Sequence, residues 1–519
     1  MKITKLNYST TGAFSALVTD YLAQDPKLEA FYHRFPDIKA LGEQIKEKQF
    51  HPEHREILCR ELARQYSTVA EIHPAVQQNL DLLAQPTTYT VTTGHQLNIF
   101  TGPLYFVYKI ITTINLARQL KETYPEYDFV PVYWMATEDH DFAEVNHFTL
   151  FGKPYTWESA QKGAVGRFGL HDMAPLLAAL PEIDPVFTEA YTQHKNLADA
   201  TRAITHALFG AYGLVALDGD NAALKQIFAP VVKKELQTQI SHGQVSQVSE
   251  KLAEYYKPQV MSREINLFYL VAGLRERIVL EEGTYKVLNT DLTFSLPEIE
   301  KLAEEKPEQF SPNVILRPLY QEMVLPNLAY IGGGAEVSYW FQLKGVFSTF
   351  EVTYPVILLR NSALYISKPN ANRLQKLSLT AGDMFKDTAT LKKQITAQFE
   401  QEEITLTAER KQITAVFDQI AQLAAAIDGT LTKTVAAEAQ KVQNALEVLE
   451  KKLVKANDTK YETYFNQLVN LKEKLFPGGT LQERVDNLLS YSTNNPQFIP
   501  DLVAAFEPLA GKFTVLEEE

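Results

Sequence analysis

Ten consecutive residues, Glu138 to His147, carry four carboxylates (Glu138, Asp139, Asp141, Glu144), two imidazoles (His140, His147) and the amide of Asn146. Side chains of these types do acid–base work, hydrogen-bond amines and hydroxyls, or ligate metals. One Asp alone would be explained by a helix cap; this density would not. His140, Glu144 and His147 would fall roughly on one face if the stretch were helical. The spacing is not HExxH and no distant third ligand stands out, so hydrogen bonding to an amine or a sugar hydroxyl is the favoured chemistry and no structural metal is expected. A carboxylate here can take the proton lost by an attacking amine. Asp139, His140 and Asp141 are therefore candidate catalytic groups, and Glu138, Glu144, Asn146 and His147 candidate binding groups.

Two glycine-bearing loops accompany the cluster. The first is Thr92-Thr93-Gly94-His95-Gln96-Leu97-Asn98-Ile99-Phe100-Thr101-Gly102-Pro103. It lies between a β-branched run and a helical pattern, the arrangement of a ligand site at the end of a parallel strand. It is neither GxGxxG nor a GxxxxGK[ST] loop. Thr93, Gly94, Gln96, Asn98, Thr101 and Gly102 are candidates for holding an anion, Lys109 for neutralising it, and His95 for catalysis. The second is Gly332-Gly333-Gly334, which follows an apolar run and opens another helical pattern. Arg317 suits a carboxylate or phosphate, and Glu336 or Tyr339 could face the cleft. Trp340 and Phe341 read as core. Asn361, at the polar end of a late strand pattern, completes the candidate set.

The elements that must position these residues read as α/β. Strand patterns cover residues 87–93, 129–136, 213–218 and 354–360, with a helix over 104–120 making the first pair a βαβ unit. Residues 13–85 are mostly helical in pattern. Residues about 148–170 and 262–290 read as inserted strands and turns that would build walls.

After residue 376 the texture changes. Apolar positions at Ile395, Phe399, Ile413, Phe417, Ile420, Ala424 and Ile427 form one arm, broken at Asp428-Gly429. Val435, Val442, Leu446, Leu449, Leu453 and positions up to Leu475 form a second. The 3–4 alternation predicts an antiparallel coiled-coil hairpin, roughly 60 Å long at 1.5 Å per residue. Its spare apolar surface points to a homodimer. The expected division is a core over 1–375, the hairpin over 376–477, and a return onto the core over 478–519.

Bulk properties limit the function class. The 519 residues carry a net charge of −13, which argues against non-specific nucleic-acid binding. A single cysteine, Cys59, fits a reducing cytoplasm and reads as packing rather than as a nucleophile. No apolar run is long enough for a membrane span, and the N-terminus lacks the apolar centre of a signal peptide.

The motifs TGHQLNIFTGPLYFVYK, PVYWMATEDHDFAEVNH, FSPNVILRPLYQEMVLPNLAYIGGGAEVSYW and FPGGTLQER resemble those of the bacillithiol biosynthesis cysteine-adding enzyme family, BshC, over nearly the whole chain. The family's loop commonly reads Thr-Gly-Gln-Gln, so His95 is a departure. The resemblance implies a Rossmann-like core related to class I aminoacyl-tRNA synthetases, connecting-peptide insertions and a dimerising coiled coil. It implies a ligase joining cysteine to glucosaminyl-malate. A free carboxylate is a poor acyl donor, so activation by ATP or another adenine nucleotide with Mg2+ is expected, most simply as an adenylate or acyl phosphate. Two other readings stay open: a metal-dependent hydrolase or nucleotidyltransferase using residues 138–147, and a non-catalytic coiled-coil scaffold.

Overall fold

The computed structural model describes residues 1–399 and 405–519. The chain forms two compact units, Met1–Tyr365 with Thr480–Leu516, and Ile366–Gly479 with Glu517–Glu519.

The first unit is organised by a five-stranded parallel sheet: β1 (Thr88–His95), β2 (Asp128–Met135), β3 (Val215–Asp218), β4 (Asn327–Gly332) and β5 (Val356–Leu359). Its order is β5-β4-β1-β2-β3. β1 is central, and the direction of winding reverses between β1 and β4. In such sheets the crevice at the carboxyl ends of the two strands flanking the reversal is where ligands bind.

β1 is Thr-rich yet almost wholly buried. Its hydroxyls are answered inside the sheet: Thr90 and Thr92 donate to Asn327 Oδ1 at 3.2 and 2.8 Å, and Thr93 donates to the Ile331 carbonyl at 2.8 Å. Asn327 in turn donates to Glu322, whose carboxylate lies 3.5 Å from Lys48 Nζ. Buried polar groups survive only when paired in this way. Helix α1 (Tyr105–Thr123) links β1 to β2 and is buried along most of its length.

The first insertion forms a two-stranded hairpin, His147–Leu150 with Lys153–Thr156. The second is part of a five-stranded sheet whose neighbours, where paired, run antiparallel, containing Leu267–Val271, Leu274–Glu281 and Thr284–Val287.

Segment Thr480–Leu516 belongs to this first unit, and its start acts as a staple. Gln482 exchanges hydrogen bonds with the Tyr365 backbone at 3.0 and 3.1 Å. Glu483 accepts from Arg360 at 2.7 Å and from the Ala363 N–H at 3.1 Å. Asn487 donates to the carbonyls of Phe100 and Gly102, both at 2.7 Å.

In the second unit, helices Thr407–Ile427 and Leu431–Leu475 are joined by a turn at Asp428, whose carboxylate accepts from Thr430. They run antiparallel: Leu406 bonds Glu450, Arg410 pairs with Glu450, and Thr414 bonds Gln443. A preceding helix covers Thr388–Phe399. The Phe399 side chain lies outside what the structure describes, as do residues 400–404 within the first arm. Several apolar positions on the arms are exposed, including Val416, Leu423, Ile427, Leu449 and Leu453. Among the described residues, no helix is long and apolar enough to cross a membrane.

Candidate active site

A cavity of about 700 Å3 opens at the carboxyl ends of β1, β2 and β4, within the size range of small-molecule sites. Glycines and the ends of α1 and the second insertion form its walls. In a chain of charge −13, its lining is cationic: Lys109 and Arg263, Arg275, Arg277, Arg317, Arg360 and Arg484 outnumber Glu138, Asp139 and Glu336.

The strand reversal forms the floor. Lys109 is buried because α1 packs its length against the sheet. Its ammonium donates to the Gly94 carbonyl at 2.8 Å and pairs with Glu336. Glu336 also accepts from Tyr330 Oη at 2.6 Å and from the Gly333 N–H at 2.8 Å. Burial alone would raise the Glu336 carboxyl, but Lys109 and these donors outweigh it and hold it below its ordinary range. Burial lowers the Lys109 ammonium against the pull of Glu336. The pair therefore ties the end of β1 to the loop after β4.

Arg317 lies beside this tie, 5.9 Å from the Tyr330 ring centroid, donating to Gln321 at 3.0 Å and to Tyr339 Oη at 3.5 Å. It forms no carboxylate ion pair among the described residues, leaving its charge for a ligand. Gly94 makes room for it: a Cβ there would stand 3.1 Å from Tyr330 Oη and 3.4 Å from Arg317 Nη1.

The acidic wall follows β2. Gln96 Nε2 donates to Asp139 and to Glu144, each at 2.7 Å. Asp139 also accepts from the backbone N–H of His140 and Asp141. Against the opposing effect of burial, hydrogen bonds with His140 and Gln96 and the charge of Arg275 hold the Asp139 carboxyl far below its usual range. Glu138 differs. Burial raises it, Lys225 opposes that by direct pairing, and Asp220 adds to the rise. The Arg275 guanidinium carbon lies over the Phe268 ring, 4.0 Å from its centroid, and Arg275 donates to His140 Nδ1 at 2.8 Å.

The expected helical face does not form. The only helix in the stretch is the single turn Phe142–Val145, and His147 begins a strand. Asp139 pulls the chain into a turn by capping the next two N–H groups, so His140 and His147 do not share a helix face. Among the described residues, no group of three or more His, Cys, Asp or Glu side chains converges to hold a metal ion.

The other candidates divide by position. Gly94, His95, Gln96, Lys109, Glu138, Asp139, Arg317, Gly333, Gly334, Glu336 and Tyr339 line the cavity. Thr93, Asn98, Thr101, Gly102, His140, Asp141, Glu144, Asn146, His147, Gly332 and Asn361 are not among its lining residues. Asn98 donates to the Glu144 carbonyl, Asn146 to the Trp157 carbonyl, and Asn361 to the Glu507 carbonyl, each supporting backbone. Thr101 and Gly102 belong to a tight turn. His95 stacks on Phe106 with centroids 5.1 Å apart. Burial, together with the charges of Lys109 and Arg360, holds its imidazole well below the ordinary range despite hydrogen bonding to Asn98.

Sequence reasoning passed over Tyr105, Arg275, Arg277, Arg360 and Arg484, all at the cavity. Each is unremarkable in its own segment. The nearest signal was Arg484 within the FPGGTLQER motif.

Comparisons with known proteins agree with this architecture. Residues 1–361 match the family model described as bacillithiol biosynthesis BshC, N-terminal Rossmann-like domain. Residues 363–518 match the model described as its C-terminal coiled-coil domain. Proteins named "Putative cysteine ligase BshC" align end to end. The Flavobacterium psychrophilum protein is 43% identical over 99% of both chains. That of Flavobacterium johnsoniae is 42% identical over 98% of this chain and 99% of its own. That of Cytophaga hutchinsonii is 40% identical over 98% and 97%. A solved Campylobacter jejuni structure described as a "putative arginyl t-RNA synthetase" aligns at 12% identity over 80% of this chain and 99% of its own, with a TM-score of 0.21, too low to bear on the fold.

Proposed function

Since the chain belongs to the bacillithiol biosynthesis BshC family, we propose that its cleft is that of a ligase joining the cysteine carboxylate to the amine of glucosaminyl-malate. The observation that carries the reading is a cationic cavity at the strand reversal of a parallel sheet, inside a chain that is acidic overall. Every reactant this ligation calls for bears carboxylate or phosphate, and such a cavity gathers anions.

The residues fit a nucleotide as the activating co-substrate. Arg317 carries a charge unmatched by a carboxylate, and Gly94 lets backbone come close to it. ATP with Mg2+ would supply the leaving group that a free carboxylate lacks. Arg317 and Lys109 would hold its phosphates, and the tie between Lys109 and Glu336 keeps that floor rigid before substrate arrives.

On the opposite wall, Glu138 is the cavity carboxylate whose proton affinity is raised, so it suits the proton that the amine gives up. Asp139 stays ionised and orients the ammonium or sugar hydroxyls. His95, neutral at physiological pH, presents an uncharged ring beneath the reacting groups.

The test is incubation of the purified protein with cysteine, glucosaminyl-malate and ATP, followed by mass spectrometry. Bacillithiol together with AMP or ADP is expected. Bacillithiol without nucleotide turnover would remove ATP from the reading, and no bacillithiol under any donor would overturn the ligase. If Glu138 takes this proton, the wild-type rate rises as pH climbs through the raised carboxyl pKa, and a Glu138→Gln variant should lose that rise.

Two further features belong to this reading. The protein acts in a reducing cytoplasm, where a thiol substrate stays reduced. It works as a homodimer joined through the hairpin, whose exposed Val416, Leu423 and Ile427 leave an apolar stripe to cover.

A further inference from the structure

We propose that Arg360 and Arg484, with the Tyr105 hydroxyl, form an oxyanion subsite on the β4–β5 side of the cleft, built for a carboxylate or phosphate group of a substrate. The ligase reading supplies the identity of the ligands; the anion chemistry stands on the geometry.

Arg360 follows β5 and is 4% exposed. Its terminal nitrogens are committed: one donates to Glu483 at 2.7 Å, the other to the Asn361 carbonyl and Ser362 Oγ, both at 3.0 Å. Its Nε is buried without any partner. That nitrogen faces the glycine loop of the cleft, since a Cβ on Gly333 would stand 3.7 Å away. A buried N–H left unmet is unfavourable unless something else meets it, and a ligand oxygen would.

Arg484 arrives from the other side. Gln482 and Glu483 are both buried and spend their side chains on the Tyr365, Arg360 and Ala363 positions. The turn they lock leaves Arg484 exposed and lining the cavity, with no acidic partner among the described residues. The Tyr105 ring lies beneath Arg360, 5.6 Å from its guanidinium carbon, and the Tyr105 hydroxyl makes no hydrogen bond to protein among the described residues.

The charge balance favours an anion. Glu483 neutralises Arg360, and Lys109 neutralises Glu336, the cavity carboxylate beside the same glycine loop. The charge of Arg484 is left over. Arg360 offers its Nε–H and Arg484 its whole guanidinium, and both charges act on the Tyr105 hydroxyl, so the two can meet one carboxylate or phosphate.

Two reactants could fill such a site: the malate dicarboxylate of the amine substrate, or the phosphates of ATP. Titration calorimetry of the full chain with L-malate and, separately, with ATP distinguishes them. The wild type, Arg484→Ala and Arg484→Lys are compared at low and high KCl. At least one probe is expected to bind the wild type and to lose tenfold or more in affinity with Arg484→Ala. Arg484→Lys should recover part of the loss. The affinity of Arg484→Ala should depend less steeply on salt. Selective loss of malate assigns the subsite to the amine substrate, and selective loss of ATP assigns it to the nucleotide. The proposal is overturned if Arg484→Ala binds both probes within twofold of the wild type, or if the wild type binds neither. Thermal unfolding of Arg484→Ala should match the wild type, because this exposed side chain makes no hydrogen bond or ion pair among the described residues. Binding is read directly, so an inactive ligase would not mask the result. Normal product formation without Arg484-dependent binding would sink the subsite and spare the ligase.

Discussion

His95 illustrates how one side chain can be central in position and quiet in chemistry. It stands at the end of β1, lines the cavity and stacks on Phe106. Burial, with Lys109 and Arg360 nearby, keeps its folded pKa well below 6.5. The sign of the stability effect follows. Between the folded value and about 6.5, the unfolded chain binds a proton that the folded chain refuses, so stability falls as pH falls through that window, by up to about 1.4 kcal/mol for each pH unit. A His95→Gln variant, which keeps a polar side chain of similar reach but cannot take up a proton, should lose this part of the acid-side decline. Chemical denaturation at pH 7.5, 6.5 and 5.5 measures it; equal slopes for both proteins would refute the assignment. Lys109 and Glu336 show the complementary case. Each carries a charge that burial penalises and the partner restores. Such a pair holds geometry more than it adds stability.

At the scale of elements, the turn after β1 is the most constrained piece of the site. Phe100, Thr101 and Gly102 all have positive φ, at 53°, 67° and 58°. Gly102 combines this with ψ of −145°, a region open almost only to glycine, and a Cβ there would meet the Asn98 Cβ at 2.6 Å. Asn487 holds the turn by donating to the carbonyls on both sides of Thr101. Replacing Asn487 with Ala leaves two buried carbonyls unmet beside a strained turn, a loss of about 2–4 kcal/mol. Thermal or urea denaturation checks the value, and a change under 1 kcal/mol would mean that the turn holds itself. This turn also marks where sequence reasoning stops. The glycines and the strand–loop–helix order were readable, because β-branched runs and 3.6-residue periodicity are local signals. The clamp was not, because Asn487 lies nearly 400 residues away in the chain. The same limit explains residues 138–147. Their polar density was visible, but whether they wind into a helix depended on Asp139 capping its neighbours, a choice that periodicity does not encode.

For the whole molecule, the family motifs made the α/β core and the coiled-coil arm legible, and the strand patterns at 129–136 and 354–360 fell on β2 and β5. Strand order was beyond reach, since a parallel sheet is assembled by contacts far apart in sequence. So was the cationic cleft: its arginines come from the second insertion, from Arg317, from the end of β5 and from the final return, and they cluster only after folding. The arm makes a separate claim. Leu423 and Ile427 are 67% and 80% exposed, and the proposed dimer would cover a stripe of that kind. Sedimentation velocity should show a dimer for the wild type and a monomer for a Leu423→Lys, Ile427→Lys double variant. A monomeric wild type would refute the arm's role.

The staple formed by Gln482, Glu483 and Asn487 bears on the order of events during synthesis. The parallel sheet, the glycine loops and the acidic wall all lie before residue 361, and the arm is translated between them and the staple. At roughly 5–20 residues per second, the ribosome spends several seconds making the arm. Throughout that interval Arg360 lacks its carboxylate and the turn at Gly102 lacks its clamp. A nascent chain would therefore carry a recognisable but unfastened site, and catalytic competence would arrive in one late step rather than grow with chain length.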